Sequence, residues 1–172
     1  MAEDGCIKDL VGENIDVTSN ASIGGTLDIN GKHKYNAGDV VKTFAGNNIG
    51  DVLSVFVSGD YLFTGSGDNT AKMWDISTGN LVKTFTGHGN TVTSVFVSGD
   101  YLFTGSFDET AKMWDISTGN LVRDFTGHDG RLYTVFVSGD YLFTGSNDDT
   151  AKMWDISTGL EVKTFASQIW RR

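Results

Sequence analysis

The chain contains no proline, so its turns must rest on glycine, asparagine and aspartate, and glycine alone supplies 22 of 172 residues. Turns of that kind punctuate short strands rather than long helices. There is one cysteine, Cys6, so no internal disulfide can form and the thiol reads as free. Basic residues are scarce: 13 Lys and Arg stand against 22 Asp and Glu, a formal net charge of −9. A surface of that sign repels phosphate, so nucleic acid is not an expected partner. Long apolar runs are missing too. The opening residues, MAEDGCIKDL, are acidic and hold no apolar segment, so no secretory signal is read there. No stretch reaches the length that spans a bilayer, and membrane insertion is not expected. The expected location is therefore the cytoplasm, or a particle assembled in it. Hydrophobic residues make up 39%, which suffices for a packed core.

What is present is repetition. Val55–Phe85 and Val95–Phe125 differ at four of 31 positions, and Val55–Phe85 and Val135–Phe165 also differ at four. The period is 40 residues, the length of one supersecondary unit. Within the middle unit, four short runs rich in β-branched and aromatic residues read as strands: Thr93–Val97, Tyr101–Ser106, Thr110–Ile116 and Leu121–Phe125. We term them a to d. Ser98-Gly99-Asp100, Phe107-Asp108-Glu109 and Ser117-Thr118-Gly119-Asn120 supply the turns between them. No window keeps a helical period. Four antiparallel strands per unit describe one propeller blade, and the fold class is all-β.

Thr86-Gly87-His88 and Thr126-Gly127-His128 each precede a unit that ends in Trp114-Asp115 or Trp154-Asp155, with a Gly-Ser-x-Asp turn between. In these residues the chain resembles the WD-repeat family, over roughly residues 40 to 166. The resemblance implies a β-propeller that works as a protein-interaction scaffold, without catalysis and without a cofactor. It also implies a hydrogen-bonded frame in each blade. His88 is then expected to join Asp108 and Trp114, and His128 to join Asp148 and Trp154. The first unit keeps Asp68 and Trp74, but Ala45-Gly46-Asn47 stands where Thr-Gly-His is expected.

A serine or threonine, His88 and Asp108 could suggest a catalytic triad. The same set recurs in the next unit, however, which a blade frame needs and one active site does not. The two histidines fall in separate blades with no cysteine near them, so zinc is not expected either.

The differences between copies cluster. In an up-and-down meander the d–a and b–c connections emerge on one face. On that face the b–c turns read Gly67-Asp68-Asn69, Phe107-Asp108-Glu109 and Asn147-Asp148-Asp149, and the d–a loops carry Asp129, Arg131 and, just beyond, Tyr133. On the opposite face Ser-Gly-Asp recurs unchanged three times. Loops on a rigid scaffold are where binding resides. Gly67, Asn69, Phe107, Glu109, Asp129, Arg131, Tyr133, Asn147 and Asp149 are therefore the expected interaction face. Drift in tolerant loops would give the same pattern.

Three blades fall short of the four to eight that usually close a ring, so the ring is expected to be completed by self-association. Residues 1–39 are read as a separate segment from the blades in 40–172. From residue 9 they divide into hexads whose apolar positions include Ile15, Val17, Ile23, Leu27 and Ile29. This resembles the hexapeptide β-stalks of viral and phage fibres, and implies a homotrimer. The alternative is a decayed fourth blade and a dimeric eight-bladed ring, which would explain why Val40–Phe44 copies strand d with no blade before it. The trimer is the preferred expectation. Two functions follow. One is a structural protein, the head of an oligomeric fibre or virion surface component that meets a protein partner through the loop face. The other is an intracellular scaffold for protein–protein interaction.

Overall fold

The computed structural model describes residues 40, 42–44 and 50–166. The hexad segment, with Ile15, Val17, Ile23, Leu27 and Ile29, lies outside these residues, as do Ala45-Gly46-Asn47. The described residues hold twelve strands in three four-stranded antiparallel sheets, each with the form of a propeller blade. The first blade comprises β1 (Val52–Ser58), β2 (Tyr61–Ser66), β3 (Thr70–Asp75) and β4 (Leu81–Thr86). The second comprises β5 (Val92–Ser98), β6 (Tyr101–Ser106), β7 (Ala111–Asp115) and β8 (Leu121–Phe125). The third comprises β9 (Leu132–Ser138), β10 (Tyr141–Ser146), β11 (Thr150–Asp155) and β12 (Glu161–Ala166). Each sheet runs in simple sequence order.

Local chemistry sets this meander. Ser58 pairs with Tyr61, leaving a two-residue hairpin loop in which Gly59 takes φ 57°. A primed turn with glycine first matches the twist of the flanking strands, and Gly99 and Gly139 repeat it. The c–d turns are built around Asp75, Asp115 and Asp155. Asp75 Oδ1 accepts from the Ser77 hydroxyl at 2.6 Å and from the Thr78 amide at 2.7 Å. The Ser-Thr-Gly run, identical in all three copies, is therefore turn chemistry. These bonds, first among them that from Ser77, lower the Asp75 pKa to about 2.

Every a-strand carries a β-bulge near its start. Val92 pairs with Ser106 and Ser94 with Gly105, so Thr93 between them is left over. Leu53 and Tyr133 hold the same place in the other two blades.

The core lies between blades rather than within them, because a sheet buries a face only against another layer. Phe63, Ala71, Met73 and Phe85 of the first blade pack against Val92, Val95, Val97, Leu102 and Trp114 of the second. One period on, the same residue types rebuild the interface between the second and third blades, with Phe103 and Met113 facing Val135 and Trp154. On the other side of the a-strands, Phe56, Phe96 and Phe136 form a row with ring centroids 4.9 Å apart at both steps. Polar bonds cross the same seams: Val95 N–H donates to Ser54 Oγ and Val135 N–H to Ser94 Oγ, each at 3.1 Å.

Candidate interaction face

The b–c turn is held from inside. In the second blade Ser106 Oγ accepts from Asp108 N–H at 3.0 Å and donates to Asn90 O at 2.9 Å. Phe107 N–H donates to Thr91 O at 2.9 Å. The turn and the d–a loop are thus fastened to each other at backbone level.

Beneath them runs a chain of hydrogen bonds. Trp114 Nε1–H donates to Thr104 Oγ1 at 2.9 Å, and His88 Nε2 lies 2.7 Å from that hydroxyl. His88 Nδ1 lies 2.7 Å from Asp108 Oδ2. The indole can only donate, so the hydroxyl accepts its bond and lies in hydrogen-bond contact with Nε2 as well. The Asp108 carboxylate can only accept, so His88 Nδ1–H donates to it, and each group in the chain has a partner. Burial disfavours the Asp108 anion, but bonds from His88, Thr110 and the Gly89 amide outweigh it and hold the pKa well below the usual carboxylate range. The third blade repeats the chain through Trp154, Thr144, His128 and Asp148, with Thr150 and His128 opposing burial at the carboxylate. Thr104 is fully buried and His88 nearly so. The hydroxyl that a triad would use is sealed from solvent and already committed to a tryptophan.

The first blade solves the same problem differently, through a lysine that no motif in the sequence singles out. Trp74 Nε1–H donates to Thr64 Oγ1 at 3.0 Å. Asp68 accepts from the amide and hydroxyl of Thr70, and from the buried ammonium of Lys72. Burial opposes ionisation here as well, and Lys72 with Thr70 lowers the pKa despite it. The equivalent lysines look elsewhere: Lys112 pairs with Asp124, and Lys152 with Glu161 at 2.8 Å.

Above this frame sit the loop residues that vary between copies. Phe107 and Tyr133 meet edge to face at 5.6 Å, and the Arg131 guanidinium lies over the Phe107 ring at 5.0 Å. Three side chains from two blades so form one cluster. Tyr133 reaches it because it is the bulged residue of β9, and a bulge re-aims the side chain it carries. Tyr133 and Arg131 are exposed and Phe107 is half-buried. Glu109, Asp129, Asn147 and Asp149 are exposed, while Gly67 and Asn69 are half-buried on the first blade. Asn69, Glu109 and Asp149 share a left-handed backbone, with φ of 68°, 72° and 65°. Asn and Asp tolerate that region, whereas Glu is held there against its preference, at a cost on the order of 1 kcal/mol. Among the described residues no group of three or more His, Cys, Asp or Glu side chains is placed to hold a metal ion.

The opposite face carries two equivalent clefts of about 440 and 460 Å³ at the blade seams. Tyr61, Met73, Asp100 and Ile116 contribute to the first, and the residues one period later line the second.

The family model for the WD domain, G-beta repeat (WD40), matches residues 38–75, 79–115 and 119–155. The Lissencephaly-1 homolog of Branchiostoma floridae is 57% identical over 35 residues, which is 20% of this chain and 9% of the relative. The crystal structure of the computationally designed Ika8 protein superposes with a TM-score of 0.63 at 31% identity, covering 66% of this chain and 36% of that one. The chain thus spans well under half the length of each.

Proposed function

The chain belongs to the WD40 family of G-beta repeats, and on that premise we propose that it is a non-catalytic scaffold that binds a protein partner through its d–a and b–c loop face. The observation that carries this reading is the Phe107–Arg131–Tyr133 cluster. An aromatic pair capped by arginine is the composition of interface anchors. It sits where two blades meet, so a rigid frame fixes it before any partner arrives, which lowers the ordering cost of binding. Glu109 supports the same reading, because a strained backbone kept at an exposed turn points to a role outside the fold.

Glu109, Asp129 and Asp149 are exposed acidic residues of the same loop face, so the surface favoured on the partner is apolar with a basic rim. The matched stretch of the Lissencephaly-1 homolog is of a length with one blade and fits an interaction scaffold. The fibre-head, virion and trimer readings rest on the hexads, outside the described residues, and the loop face needs none of them.

Immobilised chain, incubated with extract of its source cells, is expected to retain a defined protein that the Phe107→Ala/Arg131→Ala/Tyr133→Ala variant loses. Substitution of the invariant opposite-face residues Asp60 and Asp100 by Ala is expected to leave retention unchanged. Equal retention by the triple variant would end the case for this cluster.

A further inference from the structure

Among the described residues, the two outermost blade faces repeat the residue types of the buried ones and differ in exposure. Val55 is 63% exposed, whereas its counterparts Val95 and Val135 are 5% and 4% exposed. At the other end Phe165 is 44% exposed, whereas Phe85 and Phe125 are each 1% exposed. We propose that a second copy of this chain docks head to tail on the first. The outer face of the β9–β12 sheet in one copy seats on the outer face of the β1–β4 sheet in the other, and its β12 takes the place now held by Lys42–Phe44.

The interface required already exists twice inside the chain. Phe143, Ala151, Met153 and Phe165 occupy the positions that Phe63, Ala71, Met73 and Phe85 occupy in the first internal interface. Val52, Val55 and Val57 stand ready as Val92, Val95 and Val97 do there. Docking would extend the phenylalanine row, bringing Phe136 of one copy against Phe56 of the next. It would also place the hydroxyl of Thr134 where Ser54 and Ser94 accept their cross-blade amide bonds. No new surface chemistry is needed, because both halves of a proven interface are present and unpaired with each other.

Lys42–Phe44 explains how the exposed first face is held meanwhile. Phe44 meets Trp74 edge-on at 6.3 Å, as Phe85 meets Trp114 at 6.0 Å and Phe125 meets Trp154 at 6.2 Å. Lys42 donates to Ser77 O, as Lys83 does to Ser117 O and Arg123 to Thr158 O. The segment therefore stands in for a preceding strand d, although it has no strand pairing of its own. Residues 41–44 read Val-Lys-Thr-Phe, identical to residues 162–165. An incoming β12 can replace these contacts one for one, with Lys163 released from its present position over the Phe165 ring. The exchange is close to neutral at strand d and gains the remainder of the apolar face. A head-to-tail contact of this kind is heterologous, and it closes into a ring or continues according to the angle at each junction.

The test uses the full chain and two variants, Val55→Glu/Val57→Glu and Met153→Glu/Phe165→Glu, with masses read by light scattering after size exclusion. The wild type is expected to exceed the monomer mass and each variant to run as a monomer. Each variant keeps one good face, so mixing the two is expected to give a one-to-one dimer and nothing larger. Phe44→Ala in the wild-type background is expected to tighten association by weakening the competing segment. A monomeric wild type, an oligomer that survives either variant, a mixture that stays monomeric, or weaker association of Phe44→Ala would each overturn the proposal. Lysine at the same four positions provides a second pair, with β-sheet circular dichroism as the check that each variant is folded.

Discussion

The strand-c lysine shows how one side chain can serve three purposes. Lys72, Lys112 and Lys152 are equivalent in sequence, yet they pair with Asp68, Asp124 and Glu161 in turn. Copy differences outside the loops become intelligible here. Thr84 gives way to Asp124 in the second blade and Leu81 to Glu161 in the third, and each change supplies a carboxylate for the lysine. The first blade has neither, and Asn47 stands in place of histidine, so the lysine turns to Asp68. Lys72→Met leaves the half-buried Asp68 carboxylate without its cation and is expected to lower the unfolding free energy by about 1–3 kcal/mol. Lys152→Met removes a pair whose Glu161 is exposed, and is expected to cost about 0.5 kcal/mol. Urea unfolding of both variants measures the contrast, and adding Asp68→Asn to Lys72→Met should recover part of the loss.

At the level of strands and turns, most of the blade was legible from residue types. The b and d strands, β6 and β8, span the residues expected of them. The c strand is shorter at both ends. At its end the Ile116 amide bonds back to Asp100 O, and at its start Thr110 falls outside β7, whereas Thr70 and Thr150 open β3 and β11. The bulge could not be read, because Leu53, Thr93 and Tyr133 share no property that alternation would flag. The lysine exchange could not be read either, since it depends on how far a flexible side chain reaches. Nor could the meeting of Phe107 with Tyr133, which follows from the seam between two blades. Seams also predict a glycine. A methyl group on Gly105 would lie 2.8 Å from Val135 Cγ1 in the next blade. Gly105→Ala is therefore expected to destabilise by about 1–3 kcal/mol through overpacking. At Gly89 the nearest atom would be Asp108 Cβ at 3.8 Å, so Gly89→Ala is the control, expected to change unfolding by less than about 0.5 kcal/mol.

For the molecule as a whole, acid stability tests whether the carboxylate networks outweigh net charge. Asp68, Asp108 and Asp148 have pKa values below their ordinary 3.8, as do Asp75, Asp115 and Asp155 in the c–d turns. A folded-state pKa below the unfolded one contributes stability above the unfolded value, and that stability is lost as pH falls through the folded value. Protonation also relieves the self-repulsion of a chain with net charge −9, which acts in the opposite direction. The networks are expected to win. The urea midpoint should hold level down to about pH 5 and then fall steadily toward about pH 2 as the carboxylates take up protons. Asp108→Asn/Asp148→Asn should start lower and fall less steeply. A midpoint that rises on acidification would mean that repulsion dominates.

Because each seam between blades repeats the one before it, a unit could be gained or lost without creating an unfamiliar boundary. A chain of two such units, or of four, would still begin with the same valines and finish with the same phenylalanine. Unequal recombination between near-identical 40-residue segments would thus alter the length of the array and spare its chemistry. The fold tolerates its own copy-number variation, and what a change in number would remodel is the span across which the loop clusters are displayed.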